Sequence, residues 1–180
     1  MAIDVVEYSE EWPAQFLLIA SELGRALGEV PTVSIEHVGS TSVPGLAAKP
    51  VIDIDIVVGR QHVAAAIAAL ARLGYVHRGD LGITDRQAFT APDDHPPRHV
   101  YICVEGTLHL RNHLAVRDTL RARPDLRERY GAVKIELSRD PDMDSTTYVA
   151  RKSDVLQEVL EHSDLTEDEK ALILALNTRS

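Results

Sequence analysis

Asp53 and Asp55 stand two apart in VIDIDIVV, residues 51–58, a run of β-branched residues that predicts a strand. Side chains alternate along a strand, so both carboxyls project from one face. Ile52, Ile54 and Ile56 then point into apolar packing on the other face. Adjacent carboxylates repel, which favours a proton on one of them or a cation between them. A hard divalent ion such as Mg²⁺, held by one or two carboxylates and by substrate phosphates, suits this pair. The alternative is a half-exposed strand that merely alternates polar with apolar residues. Asp is a poor strand former, which weighs against that alternative.

Gly39-Ser40-Thr41-Ser42 follows a predicted strand at 33–38 and precedes the aspartates by about a dozen residues. A glycine there lets a ligand approach the backbone, and the amides and hydroxyls after it can take phosphate oxygens. Val43-Pro44-Gly45-Leu46 predicts a type II turn, with Pro44 fixing φ and Gly45 supplying a positive one. Lys49 comes just before the aspartate strand and can meet a phosphate or the carboxylates. His113, Arg117 and Arg121 recur every fourth residue in a predicted helix. Arginine suits bidentate phosphate contacts, so the row is a candidate anion stripe. Pairing with Asp118, Asp125 or other acids is the competing reading. Tyr130 with Lys134, and Tyr148 with Lys152, are i, i+4 pairs, a spacing that more often marks a packed helix face. His109 and His113 have a zinc-compatible spacing, but Leu110 stands where the HExxH motif needs Glu. No G-x-S-x-G elbow is present, and Cys103 in an apolar strand predicts a buried small hydrophobe.

The elements that must position these residues read as follows. Helix is predicted at 9–28, with Ser9 as cap and Trp12-Pro13 in the first turn, and at 61–73, ended by Gly74. Short strands are predicted at 75–79, 86–91 and 98–104. After Gly106 the chain is helical at 108–121, 124–138, 145–162 and 166–177. Pro124 fits a first helical position, Ser145 and Thr166 fit caps, and Thr166 with Glu169 has capping-box spacing. Strands early and helices late predict an α+β fold, with a mixed sheet of about five strands and a C-terminal group of helices. No Pro-, Gly- or Ser-rich linker divides the chain, so residues 1–180 are expected to form a single domain.

Composition narrows the function. The 180 residues carry a net charge of −9 and 4% aromatic residues, which argues against extended nucleic-acid binding. Residues 98–134 nevertheless hold eight bases against four acids, a basic band able to hold a small anion. No apolar run reaches membrane-helix length, and no basic-then-apolar leader opens the sequence. With one cysteine, these features predict a cytoplasmic protein without disulfides.

EHVGSTSVPGLAAKPVIDIDIVV, residues 36–58, resembles the signature of the GrpB family, whose members have a nucleotidyltransferase-like fold. The likeness begins at Val6-Glu7-Tyr8 and Glu11-Trp12-Pro13 and continues through Arg111-Asn112-His113-Leu114, Arg117-Asp118 and Leu120-Arg121. It ends near Tyr130, Lys134 and residues 148–152. The resemblance implies a nucleotidyltransferase-like core in which Gly39 and Ser40 bind a triphosphate and Asp53 and Asp55 bind Mg²⁺. It implies nucleotidyl transfer from an NTP to a small-molecule or protein acceptor, with Arg117, Arg121 or Lys134 neutralising charge. The family also occurs as a domain appended to dephospho-CoA kinase, which implies the alternative of a non-catalytic nucleotide- or anion-binding module. Nucleotidyltransferases usually supply a third carboxylate from a later strand. The corresponding strand here, 98–104, has His99 and Tyr101 where GrpB sequences often have His-x-His. Glu105 joins their face only if the strand extends, and Gly106 argues against extension. The expectation is therefore that His99, and not Glu105, faces the aspartates as a metal ligand, and that preference shifts from Mg²⁺ toward Mn²⁺.

Overall fold

Strands form where β-branched residues concentrate. In the computed structural model, which describes residues 4–140 and 144–177, five strands make one sheet. They are β1 (Thr32–Val38), β2 (Ile52–Val58), β3 (Val76–His77), β4 (Arg86–Thr90) and β5 (Arg98–Val104), in the order β1-β2-β5-β4-β3. β2 and β5 run parallel and the other neighbours antiparallel, so the sheet is mixed. Six helices accompany it: α1 (Glu11–Leu27), α2 (Val63–Arg72), α3 (Leu108–Ala122), α4 (Pro124–Ser138), α5 (Ser145–Glu161) and α6 (Glu167–Asn177). The architecture is α+β, with four helices after the last strand.

The described residues fall into two compact units. One comprises Glu10–Val38 and Val51–Leu110, which is the sheet with α1 and α2. Here Ile54, Ile56 and Ile102 are completely buried. α1 packs on the side of the sheet that carries Ile35 and His37, with Phe16 stacked on the His37 ring at 4.7 Å. Register places Ile35 opposite Ile56 and His37 opposite Ile54, so the isoleucines share that apolar face. The other face of β2 carries Asp53 and Asp55.

The second unit comprises residues 4–9, Gly39–Pro50 and the chain from residue 111 onward. Its core gathers Val43 and Leu46 with Leu120, Leu126, Tyr130 and Val159, all nearly or wholly buried. The turn before Leu46 forms as its residues demand: Gly45 has φ +78° and the Leu46 N–H donates to the Val43 carbonyl at 3.1 Å.

Helix ends follow the sequence with two corrections. Pro124 opens α4, and Gly74, at φ +85°, follows α2. The Thr166 N–H donates to Glu169 at 2.9 Å and the Glu169 N–H to the Thr166 hydroxyl at 3.3 Å, a complete capping box. The N-cap position of α1 falls on Glu10, one residue after Ser9, and the Glu10 side chain makes no cap bond. At α5 the cap is Asp144, one residue before Ser145, with the Thr147 N–H donating to its carboxyl at 2.9 Å. The carboxylate accepts from the open amides more strongly than a hydroxyl does. The strand expected at 75–79 shrinks to Val76–His77, because Gly79 adopts φ +77° and breaks the extended run.

Candidate functional site

The aspartate face of the sheet is set by register. Asp53 lies opposite Val38 on β1 and His99 on β5; Asp55 lies opposite Glu36 and Tyr101. Residues directly opposite share a face. Asp55 is completely buried, while the Asp53 side chain keeps 29% exposure and His99 keeps 59%. His99 Nδ1 meets Asp53 Oδ1 at 2.9 Å. With Asp53 ionised the carboxylate accepts, and the hydrogen of this contact is the His99 Nδ1–H. Glu105 lies outside β5 and is exposed, and Gly106 turns the chain at φ +76°.

The chemistry around the pair is that of negative charge in a confined place. Burial, with the charge of Asp55 beside it, pushes the Cys103 thiol far up, so Cys103 stays protonated and inert. Burial and the charge of Asp53 raise the Tyr101 phenol. On this face the Arg86 guanidinium lies 4.7 Å from the centre of the Tyr101 ring, with Arg86 opposite Cys103 in register. Two carboxylates on one face fit Mg²⁺ as it is held with a phosphorylated substrate. Among the described residues no three His, Cys, Asp or Glu side chains gather closely enough to form an all-protein ion site.

The Gly-Ser segment has a defined form. Gly39 takes φ +70° and ψ −175°, a conformation that essentially requires glycine. Ser40–Ser42 then make one 3₁₀ turn. The Ser42 hydroxyl donates to the Gly39 carbonyl at 2.6 Å and so holds the turn. Thr41 and Ser42 are buried, Gly39 is exposed and Ser40 is half-buried, so the exposed part of the turn is Gly39 and Ser40. Arg121 grips this turn, with Nε and Nη2 donating to the Ser42 carbonyl at 3.0 and 2.7 Å. Arg117 bonds to Asp118 at 2.7 Å, the ion pair foreseen as the competing reading of that row. His113, the first member of the row, is half-buried on α3.

A second concentration of positive charge lies in the helical unit. Lys134 is only 2% exposed, and its Nζ makes no hydrogen bond to any described residue. Its ammonium lies 4.5 Å from the Tyr130 ring centre. Burial and the charge of Lys152 lower its pKa to about 7. Lys152 and Lys49 both approach the Tyr148 ring, at 5.5 and 5.1 Å. A groove of about 500 Å³ elsewhere in this unit is lined by Arg111, Asp118, Arg123 and His162 and includes none of the predicted site residues. Its arginines are already engaged, Arg111 with Glu169 and Arg123 with Asp125.

Sequence reasoning missed Glu36 and Arg86. Both were reachable by carrying the alternation of each strand outward from its anchor, but only register shows that Glu36 lies across from Asp55 and Arg86 across from Cys103.

The mixed sheet with its following helices has a nucleotidyltransferase-like fold. The Cid1 poly(U) polymerase structure with MgGTP bound superposes with a TM-score of 0.60 over 85% of this chain and 50% of that one, at 13% identity. That likeness concerns the fold. The GrpB protein profile matches residues 2–162, and the chain belongs to the GrpB family. GrpB from Enterococcus faecalis matches with a TM-score of 0.75 and 32% identity, over 88% of this chain and 98% of that one. UPF0157 protein BH1888 of Halalkalibacterium halodurans is 34% identical over 92% of this chain and 84% of its own length. A dephospho-CoA kinase of Mycolicibacterium paratuberculosis is 32% identical over 83% of this chain, a match that spans 43% of the kinase.

Proposed function

We propose that this protein binds a nucleoside triphosphate with a divalent cation and transfers a nucleotidyl group to a small-molecule or protein acceptor. The observation that carries the reading is the placement of Asp53 and Asp55 on one face of β2, with His99 bonded to Asp53, in a nucleotidyltransferase fold. Asp53 and Asp55 would hold Mg²⁺ or Mn²⁺, and His99, bonded to Asp53 through Nδ1, would orient that carboxylate. When bound, the cation supplies charge neutralisation at the phosphates and lowers the pKa of the acceptor hydroxyl. The chain's own residues do the rest. The Gly39–Ser42 backbone and the Ser40 hydroxyl donate to phosphate oxygens, Arg121 keeps that turn in shape, and Lys49 and Lys134 offset phosphate charge. His99 and Asp53 together can hold a proton taken from the acceptor.

A second reading has its own support. β5 offers His99 and Tyr101 where a third carboxylate is usual, and a relative is a dephospho-CoA kinase more than twice the length of the matched region. In that reading the same groups bind a nucleotide or another anion without transferring it.

Incubation with α-labelled NTPs and Mg²⁺ or Mn²⁺ separates the two. Transfer is expected to release pyrophosphate and label an acceptor or the protein itself, more strongly with Mn²⁺, and to vanish in Asp53→Asn. Nucleotide binding with no pyrophosphate release across a panel of acceptors supports the accessory reading instead.

A further inference from the structure

Arg86 stands on β4 opposite Cys103, and its guanidinium covers the ring of Tyr101, the residue directly across from Asp55. Arg60, Arg98, Arg117 and Arg123 each close an ion pair with a carboxylate. Arg86 closes none among the described residues. Its Nη2 reaches the Asp80 carbonyl at a long 3.4 Å, and its Nε is buried without a hydrogen bond. Half-buried and stacked on a ring, this guanidinium is a positive charge held in place without a direct counter-ion.

That charge is felt where the aspartates are felt. Burial raises the Tyr101 phenol and the Cys103 thiol; Asp55 pushes both further up, and Arg86 pushes both down. Arg86 and Asp55 therefore act on the same two side chains. A fixed cation beside a carboxylate pair has two consequences of opposite sign. It opposes a bare divalent ion, like charge against like. It favours an ion that arrives with a polyphosphate, because the complex is negative overall. Two ionised aspartates and one guanidinium sum to a single negative charge, which offsets half of a divalent ion and leaves the rest to the phosphate oxygens.

We propose that Arg86 makes the aspartate pair selective for a divalent ion carried by a polyphosphate over the bare ion. Arg86 is a specificity-determining residue in this role; it ligates no ion and moves no proton. The inference rests on the reading of Asp53 and Asp55 as the ion's ligands, and extends it to the form in which the ion is taken. It requires no particular base and no acceptor.

Calorimetric titration of the full chain with Mn²⁺ alone, and separately with Mn²⁺–tripolyphosphate, tests this without a choice of nucleotide. Arg86→Gln is expected to bind bare Mn²⁺ about tenfold tighter than the parent and Mn²⁺–tripolyphosphate about tenfold weaker. Arg86→Lys keeps the charge and is expected to stay within about threefold of the parent for both. A residue that only packs would move both affinities together or neither. Should Arg86→Gln melt too low to titrate, Arg86→Met, which keeps an apolar cover on Tyr101, carries the same expectation. Both affinities falling together, both unchanged, or a Lys variant that matches the Gln variant overturns the proposal. Asp53→Asn separates it from the reading beneath it. Mn²⁺ binding that survives Asp53→Asn, or no Mn²⁺ bound in either form by the parent and Arg86→Gln alike, overturns both. Mn²⁺ binding lost in Asp53→Asn but indifferent to Arg86→Gln overturns the role of Arg86 alone.

Discussion

Asp55 is the residue on which structure and chemistry meet. A completely buried carboxylate, beside the Cys103 thiol and across from Glu36, destabilises the fold unless it has a task. Asp55→Asn keeps the shape and removes the charge. In metal-free buffer the variant is expected to be as stable as the parent or up to about 2 kcal/mol more stable, read from thermal melts. It is also expected to lose divalent-dependent nucleotide binding. A melt several degrees lower would make the carboxylate structural. Arg98 shows the opposite use of a buried charge. Its side chain is 4% exposed and is held by Asp93 at 2.8 Å and by the Tyr75 hydroxyl at 2.8 Å. The Arg98 guanidinium holds the Asp93 carboxyl down at about 2. A depressed carboxyl contributes stability that is complete above its unfolded value near 4 and is lost as pH falls through 2. Asp93→Ala should thus melt lower than the parent above pH 4, and the difference should close below pH 2. A gap that persists at pH 1.5 would show that the contact is not an ion pair.

At the scale of elements, Gly39 joins β1 to the Ser40–Ser42 turn in a backbone conformation that side chains avoid. Gly39→Ala is expected to cost about 1–3 kcal/mol and to disturb the turn itself, so denaturant midpoints and anion binding should fall together. An unchanged midpoint would show that the turn tolerates another geometry. Elements were largely legible before the structure. The period-two run at 51–58 and the apolar helices announced themselves, because each carries its burial pattern within a dozen residues. The Thr166 and Glu169 pair was legible for the same reason, as a contact local in sequence. What was hidden depended on distant partners. That Asp55 meets Glu36 and Tyr101, and that Arg121 spends its guanidinium on the Ser42 carbonyl, are consequences of register and packing between segments up to 79 residues apart. Asp144 displaced Ser145 as a cap because adjacent capping residues compete, and only the backbone decides between them.

At the scale of the molecule, a net charge of −9 coexists with an acidic sheet face that carries Asp53 and Asp55. A negative net charge weighs against extended nucleic-acid binding through the whole surface. No helix among the described residues is long and apolar enough to cross a membrane. The central claim is that a nucleoside triphosphate binds through the aspartate pair with a divalent ion. The most direct test is a thermal-shift titration of the four NTPs with and without Mg²⁺ or Mn²⁺, on the parent and on Asp53→Asn. A ligand at about 100 times its dissociation constant adds about 2.7 kcal/mol, or roughly 5–10 °C for a domain of this size. The account predicts such a shift for at least one NTP in the parent, dependent on the divalent ion and absent in Asp53→Asn. An NTP shift of equal size in EDTA, or one unchanged in Asp53→Asn, would contradict it.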